Sequence, residues 1–157
     1  MGGLWSRVAV RWVLEADFEG IESIERHAFE QPWSGAELRG VLRTREAAGV
    51  VVEVNRRLAG YMFYELHPSR VEVLTIAVEY RSRRLGCGTA LLGWLKARMT
   101  TERQRMETVV RERNLSAQLF LRSQGFRAER VLRGYFADTD EEAYQMVYRQ
   151  MSRMCNA

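Results

Sequence analysis

Three extended runs follow one another with very little chain between them, and this constrains the fold more than any other feature of the 157 residues. Residues 50–54 (VVVEV) and 58–66 (LAGYMFYEL) are β-rich and meet at Asn55-Arg56-Arg57, which predicts a hairpin. Arg70–Val78 (RVEVLTIAV) predicts a third strand beyond a turn at His67-Pro68-Ser69. A sheet built on turns this short is largely antiparallel.

The flanking segments add helices. Residues 8–14 (VAVRWVL) alternate well enough for a strand, and Phe18, Ile21, Ile24, Ala28 and Phe29 then recur at helical spacing, with Asp17 as N-cap. Gln31-Pro32-Trp33-Ser34 ends that helix. Ser34 followed by Glu37 is a capping-box pattern for a second helix running through Leu38, Val41 and Leu42. Residues 86–99 carry an apolar stripe of Leu91, Leu92, Trp94, Leu95 and Met99. A strand is predicted at 106–110 and a short helix at 115–124, with Asn114 as N-cap and Gly125 just past the end. Residues 126–133 and Ala143–Arg149 predict a closing hairpin around the acidic stretch 138–142. The order β-α-α-β-β-β-α-β-α-β-β describes one mixed α/β (α+β) domain over residues 1–150, with a short C-terminal tail at 151–157.

Composition narrows the function classes. Apolar residues at 46% and charged residues at 28% exclude wholesale disorder. The apolar runs fall far short of the roughly 20 residues of a membrane span. Arg7 and Arg11 interrupt the first apolar stretch, which is not a secretory layout. Two cysteines, Cys87 and Cys155, cannot build a disulfide framework, and two histidines, His27 and His67, offer little for a metal, so none is expected. A cytoplasmic protein is the expectation. The balance 24 − 20 = +4 suits phosphate-bearing partners, but the 23 arginines are spread out and predict neither a nucleic-acid groove nor a membrane surface.

The chemistry concentrates where the third strand gives way to the next helix. Gly86-Cys87-Gly88-Thr89 opens that helix, and Arg81, Arg83 and Arg84 crowd the loop before it. Free N–H groups at a helix start bind anions, so a pyrophosphate fits the amides of Leu85 through Thr89. No Gly-Lys-Ser/Thr follows, which excludes a P-loop, and Leu91 stands where a dinucleotide fingerprint needs a small residue. A purely structural turn is the alternative reading. Cys87 reads as small rather than reactive, and His27 as surface.

Arg83-Arg84-Leu85-Gly86-Cys87-Gly88 resembles the acyl-CoA pyrophosphate loop of GCN5-related N-acetyltransferases (GNAT). Ile76-Ala77-Val78 is similar to the strand end whose backbone holds the pantetheine arm. Asn114-Leu115-Ser116-Ala117, with Phe120 and Gly125-Phe126, resembles the family's second motif. Ala28-Phe29 with Pro32-Trp33-Ser34, and Arg133-Gly134-Tyr135-Phe136 before Glu142-Ala143-Tyr144, resemble the RimI-like branch, which acetylates the N-terminal alanine of a ribosomal protein.

The resemblance implies acetyl-CoA as donor and direct attack by an amine in a ternary complex, with no covalent enzyme intermediate. It places Ile76, Ala77, Val78, Arg83, Arg84, Leu85, Gly86, Cys87, Gly88, Thr89 and Asn114 at the cofactor, and Trp33 and Tyr135 beside the acceptor. It breaks down at the chemistry. RimI-like enzymes carry a base glutamate where this chain has Val109, and a tyrosine acid where it has Leu121. Glu72 instead resembles the base of the histone-acetyltransferase branch, and water or Tyr135 stands in as acid. The alternative for Glu72 is a strand-edge residue paired with Arg70 or solvent; Glu107 and Glu112 read as solvated surface. The acceptor is expected to be an amine, possible forms being a ribosomal or other protein N-terminus or a small molecule, with a catalytically impaired acyl-CoA-binding module as the rival class. A monomer or homodimer is expected.

Overall fold

The computed structural model describes residues 6–151, so Cys155 and most of the tail lie outside the described residues. The strands are β1 (Val8–Trp12), β2 (Ala47–Val54), β3 (Arg57–Leu66), β4 (Arg70–Val78), β5 (Arg105–Arg111), β6 (Arg127–Leu132) and β7 (Ala143–Arg149). The helices are α1 (Phe18–Ala28), α2 (Gly35–Val41), α3 (Cys87–Lys96) and α4 (Leu115–Ser123). The seven strands hydrogen-bond in the order β1-β2-β3-β4-β5-β7-β6. β1–β2, β2–β3, β5–β7 and β6–β7 are antiparallel, whereas β4–β5 is parallel because α3 supplies the crossover. The mixed, mostly antiparallel sheet expected from the sequence is the one observed.

Contacts divide the chain into two compact units. The first comprises residues up to Glu65 together with Thr75–Ala97, the second Leu66–Leu74 together with the residues from Arg98 on. The chain passes from one to the other within β4.

In the first unit, α1 packs Phe18, Ile21 and Ile24 with Leu38 of α2 against Val51, Tyr61, Phe63 and Ala77. Burial of a side chain such as Leu38 contributes about 1.5–3 kcal/mol. The opposite face carries α3: Trp12 pairs in register with Val50 and sets its ring 5.2 Å from that of Trp94, edge to face. Asn55 and Arg56 have φ of 51° and 67°, the left-handed pair a two-residue hairpin turn requires. Ser34 caps α2 as the sequence predicts, its Oγ accepting from Glu37 N at 3.1 Å. Asp17 does not cap α1. Its carboxylate instead accepts two hydrogen bonds from the Arg11 guanidinium, both 2.8 Å, and one from Leu14 N at 2.7 Å. A charge-assisted bidentate pair is the stronger competitor for those oxygens, and it holds the Asp17 carboxyl below its ordinary value.

In the second unit, Met106, Thr108 and Val110 project from one face of β5, opposite Tyr148, Met146 and Tyr144 of β7. Phe126 lies against Tyr148 with ring centroids 5.7 Å apart. Asn114 caps α4, its Oδ1 accepting from Ala117 N at 3.2 Å, and Gly125 follows at φ 94°, both as predicted.

Candidate active site

The loop before α3 is held by its own hydrogen bonds. Glu79 N donates to Ala59 O at 2.7 Å, and Ser82 turns the chain back by donating through N and Oγ to Glu79 O and Oε1. Arg84 and Gly86 then take φ of 68° and 82°, and α3 begins at Cys87. The helix's own hydrogen bonds start with Ala90 N to Gly86 O at 2.9 Å, so the N–H groups of its first turn precede that ladder. Arg81, Arg83 and Arg84 are exposed around them, with Arg83 5.5 Å from the Tyr80 ring. Cys87 is buried, and burial together with Glu79 pushes its thiol up, so it packs as a neutral side chain.

Along β4 the side chains alternate. Ala77 is buried under α1, while Ile76 and Val78 are partly exposed. Trp33 packs at the edge of the α1 core, and its position is set by a residue that sequence reasoning missed. Glu25, 2% exposed, accepts from Trp33 N at 3.0 Å, from Thr75 Oγ1 at 3.3 Å and from the Tyr61 hydroxyl. Burial pushes its carboxyl above the ordinary value, against the downward pull of the Trp33 and Thr75 hydrogen bonds. Its only sequence signal is a charge one position past Ile24, close to the apolar stripe of α1.

In the second unit, Glu72 is partly buried on β4, and its Oε2 lies 3.4 Å from His67 Nε2. The expected alternative partner, Arg70, is engaged elsewhere: its Nε lies 2.8 Å from Glu107 Oε1. Glu107 also takes Arg105 Nη2 at 2.9 Å and Gln145 Nε2 at 3.3 Å. At 9% exposure it is not the solvated surface residue its sequence context suggests, because two guanidinium groups offset its burial. Val109 projects from the same face as Glu107 and has Gln145 as register partner, so no titratable group stands at that position. Leu121 is buried, 2% exposed, and packs in the unit's interior. Glu112 is exposed, as expected, with Oε2 accepting from Glu142 N at 3.4 Å. His27 is exposed too, its Nδ1 2.7 Å from Ser23 O.

Tyr135, 52% exposed, sits in the β6–β7 loop. Burial, and then the Glu72 carboxylate, push its phenol above the ordinary value.

The model of the acetyltransferase (GNAT) family matches residues 8–126. This chain belongs to that family. It is an N-acyltransferase whose acetyl donor is acetyl-CoA. It is 35% identical over 119 residues to an N-alpha-acetyltransferase of Sulfurisphaera tokodaii, covering 67% of this chain and 71% of the relative. An uncharacterized N-acetyltransferase of Methanocaldococcus jannaschii is 28% identical over 143 residues, 90% of this chain and 91% of that one. Among solved structures, the ribosomal-protein-S18-alanine N-acetyltransferase of Escherichia coli superposes with TM-score 0.78 at 22% identity, over 96% of this chain and 99% of that one. Ard1 of Thermoplasma volcanium gives 0.81 at 22% identity, over 92% and 99%. The last two likenesses show the shared GNAT fold.

Proposed function

We propose that the acceptor is a protein N-terminal α-amine. The observation that carries this reading is the 35% identity to an N-alpha-acetyltransferase over two thirds of the chain. The site chemistry supports it. A lysine amine titrates near 10.4, so its free form at pH 7 costs roughly 4.6 kcal/mol, whereas an α-amine near 7.7–8.0 costs only about 1–1.4 kcal/mol. A chain with Val109 in place of a base is less handicapped on the second kind of amine.

In this reading Arg83, Arg84, Leu85, Gly86, Cys87, Gly88 and Thr89 hold the pyrophosphate, with guanidinium groups outside and helix-start amides beneath. Ile76, Ala77 and Val78 offer backbone groups to the pantetheine arm, and Val78 N–H polarises the thioester carbonyl. Asn114 orients the second motif from its capping position. The amine nitrogen attacks the thioester carbon, the C–N bond forms, and the C–S bond breaks to release CoA thiolate. The amine's proton passes through water to Glu72, and Tyr135 or water protonates the thiolate. Trp33 in the first unit and Tyr135 in the second are each read as a contact for the acceptor peptide.

The test compares peptides with free and blocked N-termini, some with internal lysines, by mass spectrometry with acetyl-CoA present. Acetylation of free N-termini is expected. Acetylation confined to lysine side chains, or seen only on small amines, overturns the proposal.

A further inference from the structure

The β6–β7 loop, residues 133–142, is long enough to wander, and it carries Tyr135. One side chain gathers it. Arg111, at the end of β5, sends Nη2 to Asp138 Oδ2 at 2.9 Å and Nη1 to Asp138 Oδ1 at 3.2 Å, a two-pronged pair. Nη1 also reaches Thr139 Oγ1 at 3.4 Å and Glu141 Oε2 at 3.5 Å. Its guanidinium carbon lies 3.7 Å from the centre of the Phe136 ring. Phe136 in turn meets Tyr135 edge to face, with centroids 5.0 Å apart.

The neighbouring backbone reinforces the same junction. Glu141 Oε1 accepts from Arg113 N at 2.7 Å, and Glu112 N donates to Glu142 O at 3.0 Å. Arg111 shares a face of β5 with Glu107 and Val109, and Glu72 is the register partner of Glu107, so this cation stands on the Glu72 face. A guanidinium that pairs with a carboxylate in its own plane while stacking on a ring fixes position and direction together, which a lysine cannot do.

We propose that Arg111 is a positioning residue for acceptor recognition: it locks the β6–β7 loop and, through Phe136, fixes where the Tyr135 ring stands. The inference rests on the reading that this face receives the acceptor amine. Arg111 itself touches neither acyl donor nor amine, and its effect passes through Phe136 and Asp138 to Tyr135.

The experiment is steady-state kinetics with acetyl-CoA and an acceptor peptide bearing a free N-terminus, on wild type, Arg111→Gln, Arg111→Lys, Asp138→Asn and Tyr135→Ala. Arg111→Gln should raise the peptide KM by about tenfold or more, because a wall displaced by even an ångström loses its fit. Its KM for acetyl-CoA should stay within about twofold, and any fall in kcat should not exceed that of Tyr135→Ala, since the clamp acts only through Tyr135. Arg111→Lys should restore less than about half of the loss, because charge returns without the planar fork. Asp138→Asn removes the loop's side of the pair from an accessible position, and should raise the peptide KM even if Arg111→Gln does not fold. A purely structural residue would lower thermal stability and leave the two KM values in their original ratio; that result overturns the proposal. So does a full rescue by lysine. If Tyr135→Ala raises the peptide KM and neither clamp variant does, only the positioning role fails. If Tyr135→Ala leaves the peptide KM unchanged, the acceptor reading of this face fails and the inference falls with it.

Discussion

Glu72 on β4 and Glu107 on β5 are register partners across the parallel strand pair, so both carboxylates project from the same face. Their surroundings differ sharply. Glu107 lies between the Arg70 and Arg105 guanidinium groups at 2.8 and 2.9 Å, which engage both of its oxygens. Glu72 faces His67 at 3.4 Å and shares its field with the Tyr135 phenol. A proton acceptor has to be accessible and not already committed to permanent cations, and of the two only Glu72 meets that requirement.

Glu72→Gln keeps the shape of the side chain and removes its basicity. The limiting rate at pH 7 should fall by roughly 10²-fold, the low end of what a positioned base contributes, with acetyl-CoA affinity barely changed. The loss should narrow as pH approaches the pKa of the acceptor amine. Rates within about threefold of wild type from pH 6 to 9, at saturating peptide, would assign Glu72 to the strand alone.

Gly88 lies in the first turn of α3, where the backbone is expected to approach the pyrophosphate. Gly88→Val places two methyl groups on that approach. Isothermal titration with acetyl-CoA should show binding weakened beyond detection, while circular dichroism shows a folded protein. Undiminished binding by the folded variant would remove the loop from the cofactor site.

Glu25 ties α1 and Trp33 to Tyr61 and Thr75. Because burial raises its folded-state pKa, its contribution to stability is fully present below the ordinary value of 4.5 and is lost as pH rises through the folded value. Glu25→Gln cannot titrate, and its hydroxyl partners can reverse to accept from the amide. Its melting temperature should therefore gain on wild type as pH rises above 4.5. Glu25→Ala orphans the buried donors and should cost about 1–3 kcal/mol for each one left unpaired. A melting-temperature difference between Gln and wild type that stays flat with pH would show that Glu25 does not titrate in this range.

The strands, the helices and the glycine-opened start of α3 were legible in the sequence because each rests on local physics. Alternation over Arg70–Val78, the Ser34–Glu37 capping box, Asn114 before α4 and Gly125 after it depend on neighbours a few residues away. The glycine pair at the start of α3 belongs to the same class, since helix-start amides follow from where the helix begins. Local pattern also misled: Asp17 has the chemistry and spacing of an N-cap, and only Arg11, brought alongside by β1, takes its carboxylate away.

What the tertiary structure alone decided are the partners of charged side chains. Glu107 and Glu72 look alike in sequence, each on a strand two residues after an arginine, yet pairing of β4 with β5 brings Arg70 to Glu107 beside Arg105 and leaves Glu72 facing His67. Glu25 meets Tyr61 and Thr75 across 36 and 50 residues of chain, and Arg111 meets Asp138 across 27. Secondary structure follows from periodicities of two and 3.6 residues that any window of sequence displays. The protonation and orientation of a carboxylate follow from the dielectric and the charges within a few ångströms, and those are fixed only when the chain has folded back on itself.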